Sequence, residues 1–191
     1  VTPADVLDFW FGAPGSAEFG QTRKCWFEKN PAFDEEIRRR FLSALEDAAA
    51  ERLAGWAAQP EGLLALIVLL DQFPRNLFRN QPRAFATDSL ALGLARQALK
   101  QGFDGKLMPV QRVFAYLPYE HSEDLAMQDR SVTLFAGLAE GRDGFASYLD
   151  YAEKHRAVIR RFGRFPHRNA ILGRASTPEE IEYLAQPGAG F

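Results

Sequence analysis

The run Arg161-Phe162-Gly163-Arg164-Phe165-Pro166-His167-Arg168-Asn169 mixes cationic side chains with Phe, Gly and Pro. From Lys154 to Arg174 the chain carries seven Lys or Arg, two His and no acid. A solvated basic face has no need of two Phe, a Gly and a Pro at this spacing. The lip of a cationic pocket does, because rings pack inward while Arg and His point at something negative. Guanidinium forks match carboxylate and phosphate oxygens in pairs. Arg164, Arg168 and Asn169 are therefore candidates for binding an anion. His167 follows Pro166, where a helix start would add backbone donors favourable to anions.

Two further motifs combine rigid backbone residues with charge. In Asp71-Gln72-Phe73-Pro74-Arg75-Asn76-Leu77-Phe78-Arg79, Arg75 and Arg79 can bind an anion, while Asp71 can orient a base or hold Arg75. The plainer reading is an ion pair at a helix end with Asn76 in a turn. In Tyr116-Leu117-Pro118-Tyr119-Glu120-His121-Ser122-Glu123-Asp124, His121 beside a carboxylate offers general acid/base chemistry. Capping by Ser122, with Glu123 and Asp124 in a first turn, explains those three residues but leaves Glu120-His121 unexplained. His155 lies on the apolar side of its helix and reads first as a hydrogen-bonded core histidine.

Other chemistries find less support. A three-histidine metal site from His121, His155 and His167 lacks any tight ligand spacing, and the surrounding arginines would repel a cation. No metal is assigned. Neither a Gly-x-Ser-x-Gly elbow nor a Walker or dinucleotide glycine pattern occurs, so no cofactor is assigned. The single cysteine, Cys25, excludes an intrachain disulfide framework and fits a reducing compartment. A net charge of -2 gives no global field for nucleic acid or anionic membrane. The longest apolar run, Leu63 to Leu70, is far short of the ~20 residues that a membrane span needs. No signal peptide is visible at the N-terminus. The expected location is the cytoplasm.

The elements that must position these residues read as helices throughout. Thr2, Pro3 and Asp5 open a first helix that stops at Gly12. A short helix is expected around Trp26 and Phe27. A long one runs from Phe33 to about Trp56, with Ile37, Phe41 and Leu45 on one face. An apolar helix from Glu61 to Phe73 stops at Pro74, because proline lacks a donor and clashes with the preceding turn. Asp88 caps a helix that reaches Gly102. Val110 to Leu117 is broken at Pro118, Ser122 opens a helix ending at Gly141, and another spans Phe145 to Phe162. Thr177 and Pro178 start a final helix to Leu184. No strand pair is evident, and sixteen Phe predict a core of large rings. Short connections imply antiparallel neighbours. The length suits a single helical domain, 1–191, with helices of 1–30 packed on it.

The three motifs, together with Asp8-Phe9-Trp10-Phe11, Trp26-Phe27 and Leu172-Gly173-Arg174-Ala175-Ser176-Thr177-Pro178-Glu179-Glu180, resemble the signatures of the bacterial domain-of-unknown-function 924 family. The resemblance covers nearly the whole chain. Tyr119 stands where that family commonly shows Phe. The resemblance implies an all-α, tetratricopeptide-like stack of antiparallel helices and implies no activity.

Three functional readings follow from the residues. In the first, the motifs meet in one pocket: Arg75, Arg164 and Arg168 bind a small anion, and His121 or His167 acts as acid or base with Glu120 or Asp71 setting its tautomer. Hydrolysis or proton transfer would be the reaction class. In the second, a helical stack presents a groove and the arginines clamp an acidic peptide or a C-terminal carboxylate. In the third, the motifs are buried Arg–carboxylate networks that fix helix order. The sequence leaves the oligomeric state open.

Overall fold

A computed structural model describes residues 1–190; Phe191, the last residue of the expected domain, lies outside the described residues. Among the described residues every regular element is helical. Contacts gather into two units. One comprises Val1–Arg79 and Arg83–Pro118; the other comprises Asn80–Pro82 and the chain from Tyr119 onward. No helix among the described residues is long and apolar enough to cross a membrane.

The first unit opens with α1 (Pro3–Phe11), where Thr2 and Asp5 form a reciprocal capping box and Pro3 sits in the first turn. Helix α2 (Pro31–Ala49) starts two residues before the expected Phe33, because the Asn30 side chain caps Ala32 N and Phe33 N. It also ends before Trp56, which falls in a separate 3-10 stretch, Ala54–Ala58. The turn expected near Phe27 is likewise 3-10, Lys24–Trp26.

The apolar run from Leu63 to Leu70 departs most from expectation. Helix α3 (Pro60–Ile67) passes into a π-helical turn, Val68–Gln72, and then into α4 (Phe73–Leu77), so Pro74 does not stop the chain's helical course. In the wide turn, Phe73 N donates to Val68 O, five residues back. Pro74 has no N–H for Leu70 O; the Thr87 hydroxyl donates to that carbonyl instead, at 2.5 Å. Arg75 Nη1 likewise donates to Asp71 O at 2.7 Å. The Thr87 side chain thus replaces the donor that proline lacks, and Arg75 adds a side-chain donor at the next carbonyl.

Helix α5 (Asp88–Lys100) begins one residue after Thr87, and α6 (Pro109–Glu120) continues through Pro118 rather than breaking there. The core of this unit is ring-rich, as the Phe count predicts. Trp10 meets Phe114 edge-on at 5.6 Å and Phe73 at 5.5 Å, Trp26 meets Phe114 at 4.8 Å, and Phe9 stacks on Phe33 at 5.0 Å. Each such pair contributes about 1 kcal/mol beyond its buried area.

The second unit is built on α7 (Leu125–Ala139) and α8 (Ala146–Phe162). Asp124, not Ser122, caps α7, accepting from Ala126 N and Met127 N. The two helices run antiparallel. Phe135 stacks on Tyr148 near the connection, while Asp129, a turn and a half earlier, meets Arg156 further along α8. Helix α8 ends at Gly163, whose φ of 69° is left-handed, a conformation that favours glycine at this cap. A 3-10 turn, Pro166–Arg168, leads to α9 (Pro178–Leu184), which Thr177 and Glu180 cap reciprocally.

Candidate functional site

In the first unit, Arg75 is held by acids on two sides. Its Nη1 and Nη2 fork onto Asp88 at 2.8 and 2.9 Å, and Nη1 also lies 3.3 Å from Asp71 Oδ1. Asp71 is fully buried in the π turn and accepts from Gln72 Nε2 at 2.6 Å. Burial works against the Arg75 charge, but Asp71 and Asp88 outweigh it and raise the guanidinium's pKa. Arg79 reaches Asp34 at 3.1 Å, and the same carboxylate accepts from Asn76 Nδ2 at 2.7 Å. Asp71, Arg75 and Arg79 are thus brought together in one unit, each engaged with groups of the same chain.

The second unit holds the other candidates. A polar clasp fixes the loop from Gly163 to Ser176. Arg164 forks onto Glu180 at 2.6 and 2.8 Å. Glu180 is 2% exposed. Its carboxylate also accepts from Thr177 N at 2.8 Å and Asn169 Nδ2 at 3.2 Å. The Arg164 hydrogen bond, chiefly, holds the Glu180 carboxyl at a pKa of about 2. Arg174 forks onto Glu123 at 2.7 and 2.9 Å and donates through Nε to Asn169 Oδ1 at 3.0 Å. Glu123 Oε1 in turn accepts the Phe165 N–H at 2.8 Å. Burial would raise the Glu123 carboxyl, but Arg174 and that N–H hold it below its ordinary range.

The clasp sets Phe165 at the centre of a histidine cluster. Phe165 is fully buried, with the His155 ring 5.5 Å away and the His167 ring 5.6 Å away. The Arg168 guanidinium lies over the same ring at 4.6 Å, and its Nη2 donates to His121 O at 3.0 Å. Gln128, buried on α7, donates through Nε2 to Glu120 O and Ser122 O, both at 2.6 Å, which pins the turn that carries His121.

His155 and Glu120 form the buried pair of the cluster, 7% and 4% exposed, with His155 Nδ1 3.3 Å from Glu120 Oε1. Nδ1 also lies 2.8 Å from Tyr151 O. Two oxygen acceptors on one ring nitrogen assign the proton to Nδ1, leaving the lone pair on Nε2. Burial, with the charges of His121, His167 and Arg168 adding to it, pushes the imidazole down to a pKa of about 3. His155 is therefore neutral at physiological pH.

Glu120, His121, His167 and Arg168 thus share one neighbourhood with His155. Arg164 and Asn169 belong to the clasp beside it. The partners Glu123, Arg174, Glu180 and Gln128 were not singled out as site residues. Glu180 carries a local signal as the acid three positions after Thr177 in a capping box, and Glu123 one as an acid at a helix start, but neither signal points to its arginine. Among the described residues no group of three His, Cys, Asp or Glu is arranged to hold a metal ion.

Comparison with known proteins places this geometry in a lineage. A structure described as a protein of unknown function from Agrobacterium tumefaciens superposes with a TM-score of 0.84 at 44% sequence identity, covering 96% of each chain. A search of curated proteins finds no match. The family described as "Bacterial protein of unknown function (DUF924)" matches residues 6–188. The match spans α1 to α9, including all three polar motifs, and the chain belongs to this family.

Proposed function

We propose that the second unit carries an acid/base site for a small anionic substrate, with His155 as the base, Glu120 as its orienting carboxylate, and Arg168, His121 and His167 as the anion-binding groups. The observation that carries this reading is the buried His155–Glu120 pair at 3.3 Å. Its geometry suits a base: Nδ1 bears the proton and faces the carboxylate, so Nε2 can accept a proton and Glu120 stabilises the imidazolium that forms. Arg168, whose charge helps to depress His155, is the cation that an anion would neutralise. Substrate binding would therefore raise the basicity of His155, coupling anion capture to proton uptake. Hydrolysis or proton transfer remains the reaction class. A cytoplasmic setting suits a chain with one cysteine.

Arg75, Arg79 and Arg164 play a different part in this reading. Each already meets a carboxylate of its own unit, so their forks act as braces, and anion capture falls to Arg168 and the histidines. The antiparallel α7–α8 pair favours a second reading, a tetratricopeptide-like hairpin that binds an acidic peptide without catalysis.

Calorimetric titration with inorganic phosphate, small carboxylates and an acidic C-terminal peptide separates the two. The first reading expects a small anion to bind with proton uptake, seen as a heat that depends on the buffer's ionisation enthalpy. Arg168→Gln should abolish binding, and His155→Phe should abolish the uptake while leaving binding. Binding of the peptide alone, unaffected by His155→Phe, would support the hairpin reading and refute the catalytic one.

A further inference from the structure

We infer that residues 185–190 form a strap that closes over His167 and gates the histidine cluster of the second unit. The contact lies at Gly190. A Cβ built there would stand 3.1 Å from the His167 Cβ and 3.6 Å from its Cγ, so the backbone itself rests on the histidine. Gly190 has a φ of 96° and Gly188 a φ of 78°. Both values lie in the region that L side chains avoid, so this path over the ring suits glycine.

The base of the strap is fixed. Helix α9 starts in the Thr177–Glu180 capping box, and Glu180 is tied to Arg164 and Asn169, in the same motif that carries His167. The chain leaving α9 at Leu184 is therefore delivered from a rigid anchor toward the turn Pro166–Arg168. The strap itself is lightly held. Residues 185–188 are exposed, and only Ala189 and Gly190 are half-buried. Among the described residues its backbone makes local bonds: Gln186 N donates to Tyr183 O at 3.1 Å and Ala189 N to Gln186 O at 3.2 Å. A segment with an anchored base and an exposed middle belongs to the low-stability end of a fold, where local opening occurs without global unfolding.

The contact stands by itself; the gating role rests on the acid/base reading above. Closed, the strap covers one face of His167, one of the groups assigned to the anion. An anion that needs this face binds only the open form, and its apparent affinity falls in proportion to the open fraction.

The test is the rate at which diethyl pyrocarbonate modifies His167, followed by peptide mass spectrometry in the full-length protein. Gly190→Val places a branched side chain against the His167 Cβ at an unfavourable φ. Pro187→Gly loosens the exposed stretch without touching the histidine. Both variants should keep the parent's circular dichroism and speed His167 modification severalfold. An unchanged rate in both would overturn the strap. Inorganic phosphate, added as a protectant, tests the other reading separately. Protection at lower phosphate in Gly190→Val than in the parent supports a gate over an anion site. Faster modification without protection in any protein would leave the strap in place, overturn its gating role and remove the anion site.

Discussion

Acid should destabilise this protein through His155, and the size of the effect follows from its surroundings. The imidazole is pushed from the ordinary 6.5 to about 3 in the folded chain. Between those values the unfolded state binds a proton that the folded state refuses, so stability rises with pH across the window and is lost as pH falls below about 6.5. At pH 7 the cost is about 0.2 kcal/mol; at pH 5 it is about 2 kcal/mol; below pH 3 it saturates near ~5 kcal/mol. Urea unfolding of the parent and of His155→Phe at pH 7 and pH 5 isolates this term, because both proteins share every other titrating group. The parent should lose about 2 kcal/mol more than the variant over that interval. Glu120 lies against the ring, and His121, His167 and Arg168 act on it electrostatically. Parallel losses in the two proteins would refute the reasoning. They would mean that Glu120 accepts a protonated His155 as an ion pair inside the fold.

Three other perturbations address the frame around the site. Gly62→Ala should cost about 2 kcal/mol in urea unfolding, because the added methyl meets the Trp56 carbonyl and the backbone there must shift. Thr87→Val should cost about 1–2 kcal/mol, since Leu70 O would lose the hydroxyl that stands in for the missing Pro74 N–H; an unchanged midpoint would show that the hydroxyl is dispensable. Glu180→Gln should flatten the acid limb of the stability curve. The Glu180 carboxyl, held at about 2, contributes stability above about pH 4.5 that is lost as pH falls toward 2, and thermal melts from pH 5 to 2.5 compare the two slopes.

Local signals in the sequence were read well, and long-range ones were not. Thr2 and Thr177 cap helices as their spacing with Asp5 and Glu180 predicts, because a capping box needs only four consecutive residues. His155 is the buried, hydrogen-bonded histidine that its apolar helix face implies. Pro74 and Pro118 mislead, since a helix can carry proline when other donors or a wide turn satisfy the freed carbonyls. Asp124 displaces Ser122 as a cap, a choice between neighbouring competent residues that propensity cannot make. The partners of the motif arginines were invisible for a different reason. Arg79 reaches Asp34 across 45 positions and Arg174 reaches Glu123 across 51, and no local pattern encodes such pairings. Composition therefore reports the arginines as cations on offer, whereas folding commits most of them to carboxylates.

The wide turn at Val68–Gln72 also sets an angular phase. Each residue in an α-helix advances the chain by about 100°, so a turn holding one residue more than the regular repeat rotates everything after it by about that amount. Arg75 points at Asp88 and Asn76 at Asp34 only with that rotation included. Deleting one residue between Val68 and Leu70 would remove the wide turn and press Pro74 against the carbonyl of a regular ladder. It would also swing both side chains about a quarter-turn away from their acids. The irregularity thus works as a registration mark: the helix gives up one regular hydrogen bond, and the residues beyond it are aimed at acids elsewhere in the unit.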